Sequence, residues 1–304
     1  MTLSSRFPRR TATLLALCAA LLVPPAGAQL PALGDAGDLS TGAERNLGEK
    51  IARELYRDPD YIDDPVLVEY VQGIWDKLMA AARARGELTS ELEERFAWQV
   101  LLGKDRTINA FAVPGGWLGL HLGLVSATAN RDELAAVLAH ELVHVTQRHV
   151  SRMSEQQNRQ APLVVAAMIL GAMAASKNPD LGRAVVTGSQ GLAASQQLGF
   201  SRDMEREADR IGLGVMTQAG FDPQGFVTMF DKLQQAARLN DNGAYPYLRS
   251  HPMTTERAAE MQSRQQLEAR TPIQPTLDHA IAAARARVIA NTSVDALLVF
   301  VTEA

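Results

Sequence analysis

The sequence contains a single cysteine. This thiol, Cys18, lies in an N-terminal stretch laid out as a secretory signal peptide, residues 1–28. Three arginines come first, an apolar segment from Thr11 to Val23 follows, and Ala26-Gly27-Ala28 supplies small residues for cleavage. Cleavage after Ala28 would leave a mature chain without a thiol, which excludes disulfides and a cysteine nucleophile. We therefore expect an exported protein with a loose leader over residues 29–40.

Positive charge and aromatic side chains are also scarce. The formal net charge is −4, and the mature chain would carry −7, because the signal peptide holds three arginines and no acid. No stripe of basic residues is present, which argues against a nucleic-acid partner. Apolar residues make up 46% of the chain, and alanine and leucine predominate, which favours helix. The 304 residues leave room for one large domain, or for one domain and a small appendage.

The mature sequence has no apolar run long enough to cross a membrane comfortably. The longest run, Ala161–Ala175, would make only about 22 Å of helix, against a hydrocarbon core of about 30 Å. We expect a buried or interfacial hairpin there, with Leu181–Leu198 as its partner and a true membrane span as the alternative. The protein is thus expected to associate with a membrane at most peripherally.

The sequence does contain the run His140-Glu141-Leu142-Val143-His144, in an apolar segment that predicts a helix with Asn130 as its N-cap. Two histidines four residues apart lie on one helical face and can bind one metal ion. Glu141 can take a proton from a water bound to that ion. This is the spacing that zinc hydrolases use, although two core histidines bonded to carbonyl groups are the alternative. We predict that His140 and His144 bind one Zn²⁺ and that Glu141 is the general base.

Further acids follow in a segment that opens with Ser201, a predicted N-cap. Glu205 and Asp209 are four residues apart and share one face of the predicted helix, whereas Glu207 points elsewhere. Zinc in hydrolases usually takes a third protein ligand and leaves its fourth position to water. Glu205 is predicted to be that ligand, and Asp209 to hold the other ring N–H of a ligating histidine. Without the histidines, the same cluster would indicate only a solvated helix start.

The residues before the metal-binding helix predict a small sheet. The predicted strands are Ala97–Leu102, Thr107–Val113 and Trp117–Ser126. Amphipathic helices flank this sheet, so the predicted fold class is α+β and mainly helical. The second strand is a candidate edge where an extended substrate adds main-chain hydrogen bonds. Asn109 and Phe111 are its candidate contact residues, with ordinary strand packing as the alternative.

The HExxH run, followed by Glu-x-x-Ala-Asp at Glu205 to Asp209, resembles the M48 family of zinc metallopeptidases. Further matching stretches are Asn109-Ala110-Phe111, Pro114-Gly115-Gly116, and Ser250-His251-Pro252 with Thr255 and Arg257. The resemblance covers residues 41–268 and implies a gluzincin-type fold with the small sheet before the HExxH helix, peptide hydrolysis and one zinc ion per chain. It assigns His140, His144 and Glu205 as metal ligands. It assigns Glu141 as the base and Asp209 as a supporting acid, sometimes taken as proton donor.

Within that family, the export signal and the Gln147-Arg148-His149 continuation are most similar to periplasmic members from Gram-negative bacteria. This similarity implies hydrolysis of unfolded or misassembled outer-membrane proteins, and contact with the machinery that assembles outer-membrane β-barrels. A non-catalytic zinc-containing chaperone or scaffold for outer-membrane protein assembly is the alternative. Such members carry a C-terminal array of tetratricopeptide repeats, whereas residues 269–304 have room for one helix pair. We expect a short helical segment there, either as a short form or as the start of a repeat region.

One more histidine is a candidate for the site. Pro252 disfavours helix at the residue before it, so His251 is expected on a turn. It can stabilise the oxyanion of the intermediate, occupy the open coordination position as a plug, or simply bond to backbone. His121 and His149 are predicted to be structural, and Arg257 to brace the loop of His251.

Overall fold

The computed structural model describes residues 39–156, 201–238, 244–266 and 276–291, with four further residues at 293, 295, 297 and 298. The predicted signal peptide, most of the leader, the Ala161–Ala175 run and its Leu181–Leu198 partner lie outside the described residues. The described residues belong to one compact unit.

Helices dominate this unit. The described helices are α1 (Thr41–Arg57), α2 (Pro65–Ala84), α3 (Ser90–Arg95), α4 (Leu122–Ala127), α5 (Arg131–Thr146), α6 (His149–Gln156), α7 (Arg202–Gln218), α8 (Gln224–Arg238), α9 (Tyr247–Ser250), α10 (Thr255–Gln265) and α11 (Leu277–Ala290). The described strands are β1 (Tyr61–Ile62), β2 (Gln99–Gly103), β3 (Ala110–Val113) and β4 (Trp117–His121). The predicted class, mainly helical with a small sheet before the HExxH helix, is confirmed.

Short polar side chains fix where the two helices of the site begin. Asn130 caps α5 by accepting hydrogen bonds from two backbone N–H groups of its first turn. Ser201 caps α7 by accepting from the backbone N–H of Met204. Glu133, in the first turn of α5, accepts from the N–H of Ala129 at 2.7 Å, one residue before the cap. Both predicted N-caps are therefore confirmed.

The four strands form one mixed sheet in the order β1-β2-β4-β3. β2 runs parallel to β4, with Gln99 opposite Trp117. β3 runs antiparallel to β4, with Ala110 opposite Leu120. Among the described strands, β3 therefore lies at one end of the sheet, and only one of its two sides pairs with a strand.

The predicted extended stretch Trp117–Ser126 is wrong from Leu122 onwards, where the chain turns into α4. Residues 122–125 are all buried, and α4 packs against α11. A short continuous apolar run fits a buried strand and a buried helix equally well, so only tertiary contacts decide between them.

Helix α5 lies at the centre of the fold. Every one of its residues after Arg131 is buried, and it packs against α2, α7, α8 and β3. Because polar groups in such a position are costly unless they are bonded, His140, Glu141 and His144 need partners from the surrounding elements.

Helix α11 is the first member of the predicted C-terminal helix pair, and it packs against α2 and α4. His279 on this helix is 3% exposed. Its Nδ1 lies 2.7 Å from the hydroxyl of Tyr70, and its Nε2 lies 2.9 Å from the carbonyl oxygen of Thr128. None of the described helices combines the length and the apolar composition that crossing a bilayer requires.

Candidate metal centre

The site is built on the HExxH turn of α5. His140 and His144 are each 1% exposed, and their Nε2 atoms lie 3.0 Å apart on the same face of the helix. Burial and the charge on His140 hold the pKa of His144 well below its ordinary value, so its ring is neutral. A neutral imidazole is the form that binds a metal.

Helix α7 brings Glu205 to these histidines. The two helices approach closely at Gly212, where a Cβ atom would lie only 3.3 Å from backbone atoms of Ala139 and His140. Glu205 Oε1 lies 3.4 Å from His144 Nε2, and Oε2 lies 3.5 Å from His140 Nε2. Burial alone would raise the pKa of Glu205, but the neighbouring His251 and His140 outweigh it and hold this pKa well below its usual value.

His251 joins the cluster from the segment after α9. Its Nδ1 lies 3.0 Å from Glu205 Oε1 and 3.3 Å from His140 Nε2. Its Nε2 lies 3.4 Å from Glu141 Oε1. One side of the ring therefore faces the candidate metal ligands, and the other side faces the candidate base.

These four residues fit a zinc ion. One ligand atom from each of His140, His144, Glu205 and His251 lies within 4.8 Å of the other three. Zinc bonds of about 2.0–2.1 Å in tetrahedral geometry separate neighbouring ligand atoms by about 3.3 Å. Five contacts among these residues measure 3.0 to 3.5 Å, with Oε1 of Glu205 facing His144 and His251 and Oε2 facing His140. Imidazole nitrogen and carboxylate oxygen are also donors that zinc accepts.

Asp209 and Arg257 support the cluster from behind. His140 Nδ1 lies 2.9 Å from Asp209 Oδ1. Burial favours the neutral ring, but the hydrogen bonds to Asp209 and Glu205 outweigh it and raise the pKa of His140 to about 9. Binding of a metal ion at Nε2 would displace the proton there, and Asp209 would keep the Nδ1 proton in place.

Arg257 has more contacts than the sequence indicated. Its Nε and Nη2 donate to the two oxygens of Asp209 at 2.7 and 2.8 Å. Its Nη1 lies 2.7 Å from Glu205 Oε2 and donates to the carbonyl oxygen of Pro252 at 2.9 Å. The predicted bracing of the His251 loop is present through Pro252. The contacts with both acids were missed, although two buried carboxylates on one helix face call for a cationic partner.

His149 orients the second histidine of the motif. Its Nδ1 lies 2.9 Å from Nδ1 of His144, and its Nε2 lies 3.1 Å from Glu207. Glu207 also accepts a hydrogen bond from Arg152 at 2.8 Å. Burial lowers the pKa of His149 to about 4, so its ring is neutral and can mediate between His144 and the carboxylate. The sequence indicated a structural histidine here but gave no sign of this chain of contacts.

Glu141 lies between the cluster and the sheet. It is fully buried, and burial raises the pKa of its carboxyl above the ordinary value. Its Oε2 accepts a hydrogen bond from the backbone N–H of Ala112 in β3 at 2.9 Å. A carboxylate with a raised pKa is a stronger proton acceptor, as a general base requires.

The backbone groups of β3 alternate in direction. The carbonyl of Asn109 accepts a hydrogen bond from the N–H of His121, so Asn109 faces β4. Phe111 faces β4 by the same alternation, whereas the backbone groups of Ala110 and Ala112 face away from the sheet. The outward backbone groups of this strand are therefore those of Ala110 and Ala112, and a substrate contact of Asn109 or Phe111 stays a prediction.

The side chain of Phe111 packs on the sheet, and Asn109 is buried. Phe111 lies over Gly119, where a Cβ atom would be 2.1 Å from its ring, and its ring edge meets His121. His121 itself lies 2.9 Å from the hydroxyl of Thr107. Asn109 is 6% exposed.

Comparison with known proteins gives a consistent result. The sequence profile described as Peptidase family M48 matches residues 69–265, more than half of the chain. The Beta-barrel assembly-enhancing protease of Escherichia coli K12 is 34% identical over 280 residues, which cover 90% of this chain and 55% of that protein. The protein of the same name from Yersinia pestis is 34% identical over 244 residues, 79% of this chain and 48% of the relative.

A eukaryotic protein is also similar. The Mitochondrial metalloendopeptidase OMA1 of Arabidopsis thaliana is 34% identical over 170 residues, which cover 56% of this chain and 32% of that protein. The chain spans about half the length of the bacterial relatives that it matches.

Proposed function

Because the chain belongs to peptidase family M48, we propose that it is an exported zinc metalloendopeptidase with one zinc ion per chain. One observation carries the proposal: the buried cluster of His140, His144, Glu205 and His251 meets the carboxylate of Glu141. A metal site and a proton acceptor are thus side by side, which is the arrangement that hydrolysis of a peptide bond requires.

The residues have distinct roles in this proposal. His140, His144 and Glu205 would hold the zinc ion, and the bound ion would supply a water molecule of lowered pKa. Glu141 takes the proton from the attacking water and can pass it to the leaving amine. Asp209 fixes the orientation of His140 through Nδ1.

We assign His251 as a gate. Zinc in hydrolases keeps one coordination position open, whereas four protein ligands are typical of structural sites. With His251 in the cluster, its Nδ1 lies beside His140 and Glu205 and would supply a fourth ligand, and its Nε2 is beside Glu141. Hydrolysis then requires that the ring move away, which would keep the enzyme inactive until a substrate arrives. A role of His251 as oxyanion donor is the alternative.

The outward side of β3, with which no described strand pairs, supports an extended polypeptide as the substrate. Outward-facing backbone groups on a terminal strand accept main-chain hydrogen bonds with little regard to side chains, which suits unfolded segments. Similarity to proteins named for β-barrel assembly supports a role in quality control of outer-membrane proteins in the periplasm. The assembly machinery for outer-membrane β-barrels would then be a partner.

The four-ligand cluster also favours a second candidate function. A closed set of protein ligands is what a structural zinc site shows, so a non-catalytic chaperone or scaffold with zinc is consistent with it. The two functions differ in one experiment. Mature protein is incubated with an unfolded β-barrel precursor, with and without a chelator, and fragments are sought. We expect fragments that disappear with the chelator and in Glu141→Gln, whereas an intact precursor throughout would support the scaffold.

A further inference from the structure

The segment before His251 is bonded to the beginning of the outward side of β3, which is called the free edge because no described strand pairs with it. The N–H of Ile108 donates to the carbonyl oxygen of Ala244 at 2.8 Å, and the N–H of Tyr247 donates to the carbonyl oxygen of Ile108 at 3.4 Å. The carbonyl of the next residue, Asn109, faces β4, so Ile108 faces away from the sheet by alternation. Residues 244–247 thus take the hydrogen bonds that an added polypeptide would make there.

The same segment holds the ring of His251. Tyr247 is 3% exposed, and its ring is stacked on the imidazole of His251 with centroids 4.5 Å apart and planes 23° from parallel. The rings of Tyr247 and His140 meet edge to face with a centroid separation of 6.5 Å. The N–H of His251 also donates to the carbonyl oxygen of Tyr247 at 2.9 Å, so backbone and ring are both fixed to this tyrosine.

We propose that Tyr247 is a positioning residue that couples the free edge of β3 to His251. Its ring holds the imidazole in the cluster, and its backbone N–H fastens the segment to Ile108. A polypeptide that pairs with β3 as far as Ile108 must displace residues 244–247, and His251 leaves the cluster with them. This inference deepens the proposed gate and rests on it.

The backbone contacts further along β3 are consistent with a substrate that displaces residues 244–247. The N–H of Ala112 is bonded to Glu141, and Ile108 is bonded to Ala244 and Tyr247, so Ala110 lies between two intramolecular contacts on the outward side. A substrate that pairs with this side must replace contacts at both ends. Pairing near Ile108 would then release His251, and pairing near Ala112 would bring the substrate against Glu141.

The ring contact is tested with cobalt. The mature full-length protein and its Tyr247→Leu, Tyr247→Phe and His251→Ala variants are loaded with Co²⁺, whose visible absorption reports the number and kind of ligands. Leucine fills much of the buried volume without an aromatic face, whereas phenylalanine keeps the face and serves as the matched control. We expect Tyr247→Leu to show most of the spectral change of His251→Ala, and Tyr247→Phe to keep the spectrum of the unchanged protein.

Two results would contradict this expectation, and each would overturn a different part of the proposal. If His251→Ala leaves the spectrum unchanged, His251 does not bind the ion, and the gate is overturned together with this inference. If His251→Ala changes the spectrum and Tyr247→Leu does not, the gate stands and only the role of Tyr247 is overturned.

The coupling to β3 is tested without any change at Tyr247. Hydrogen exchange is measured in Glu141→Gln, which should bind an unfolded substrate without cleaving it, for peptides covering residues 108–113 and 244–251. We expect the substrate to slow exchange in the first peptide and to accelerate it in the second. Slower exchange in both peptides, or no change in either, would overturn the coupling.

Discussion

Oε2 of Glu141 accepts a hydrogen bond from the backbone N–H of Ala112 at 2.9 Å. Glu141 lies on the central helix, and Ala112 lies on the terminal strand of the sheet, nearly thirty residues earlier in the chain. The contact places the proposed base directly against the proposed substrate edge. A peptide bond that follows this edge would therefore pass the carboxylate and the metal-binding cluster together.

The first prediction concerns that carboxylate. Glu141→Gln keeps the size of the side chain and an oxygen that can accept from Ala112, but it removes the proton acceptor. Hydrolysis of an unfolded substrate should fall by about 10²–10⁴-fold, because that is the usual contribution of a general base. Zinc content, measured by atomic absorption, should stay unchanged, since the ligands are retained.

Two further variants serve as controls for this prediction. Glu69→Gln makes the same chemical change at an exposed position of α2 and should leave hydrolysis unchanged. His140→Ala removes a ligand and should lose the metal. Equal turnover in Glu141→Gln, or metal loss as complete as in His140→Ala, would contradict the assigned role.

The second prediction concerns the acid behind His140. Asp209→Ala should weaken zinc affinity by about 10–100-fold, as other losses of a group that orients a metal ligand do. Without Asp209, Glu205 is the acidic partner that Arg257 keeps in this cluster. Arg257 would then compete with the metal for Glu205, which weakens zinc affinity further. Competition with a chromophoric chelator measures the affinity. Asp203→Ala, an exposed change on the same helix, should leave zinc affinity unchanged. Equal zinc affinities in the Asp209→Ala and Asp203→Ala variants would mean that Asp209 does not orient His140 for the metal.

The third prediction concerns the packing of α11. His279→Ala removes the hydrogen-bond partner of the hydroxyl of the half-buried Tyr70 and of the buried carbonyl of Thr128. An unsatisfied buried polar group typically costs about 1–3 kcal/mol, so the free energy of unfolding in urea should fall by about that amount. Asp278→Ala, exposed in the first turn of the same helix, should change it by less than about 0.5 kcal/mol. A negligible difference between the two variants would mean that α11 adds little to the fold.

The parts of the site that were predictable from sequence are local ones. His140 and His144 are four residues apart, and this spacing alone determines that they share a helical face, with Glu141 projecting beside them. Glu205 was identified because an incomplete metal site needs a further ligand, and the acids of α7 offered one. The N-caps of both helices were also visible, since Asn130 and Ser201 directly precede the helical patterns.

The parts that the sequence did not reveal depend on long-range contacts. The forked contact of Arg257 with Asp209, and the chain from His144 through His149 to Glu207, join residues from different helices. No periodicity marks such contacts. The direction of backbone groups in β3 depends on its register with β4, and a shift of one residue reverses it. The sequence therefore could not show that Ala110 and Ala112 are the residues whose backbone groups face outward.

The last prediction separates the possible roles of His251. In the cluster, its Nδ1 is near His140 and Glu205, and its Nε2 is near Glu141. A ring in this place blocks both the fourth ligand position and the base. His251→Ala should therefore raise basal proteolysis of an unfolded substrate, with zinc retained by the three remaining ligands.

A transition-state donor would behave in the opposite way, because its removal destabilises the oxyanion and leaves the ground state intact. Turnover would then fall by about 10²–10³-fold at unchanged zinc content. Arg249→Ala, an exposed change on the preceding helix, controls for disturbance of the segment. An unchanged rate in His251→Ala would eliminate both roles and leave His251 as a structural residue. We expect the increase, because a donor must reach the substrate oxygen, whereas this imidazole lies among the ligand atoms themselves.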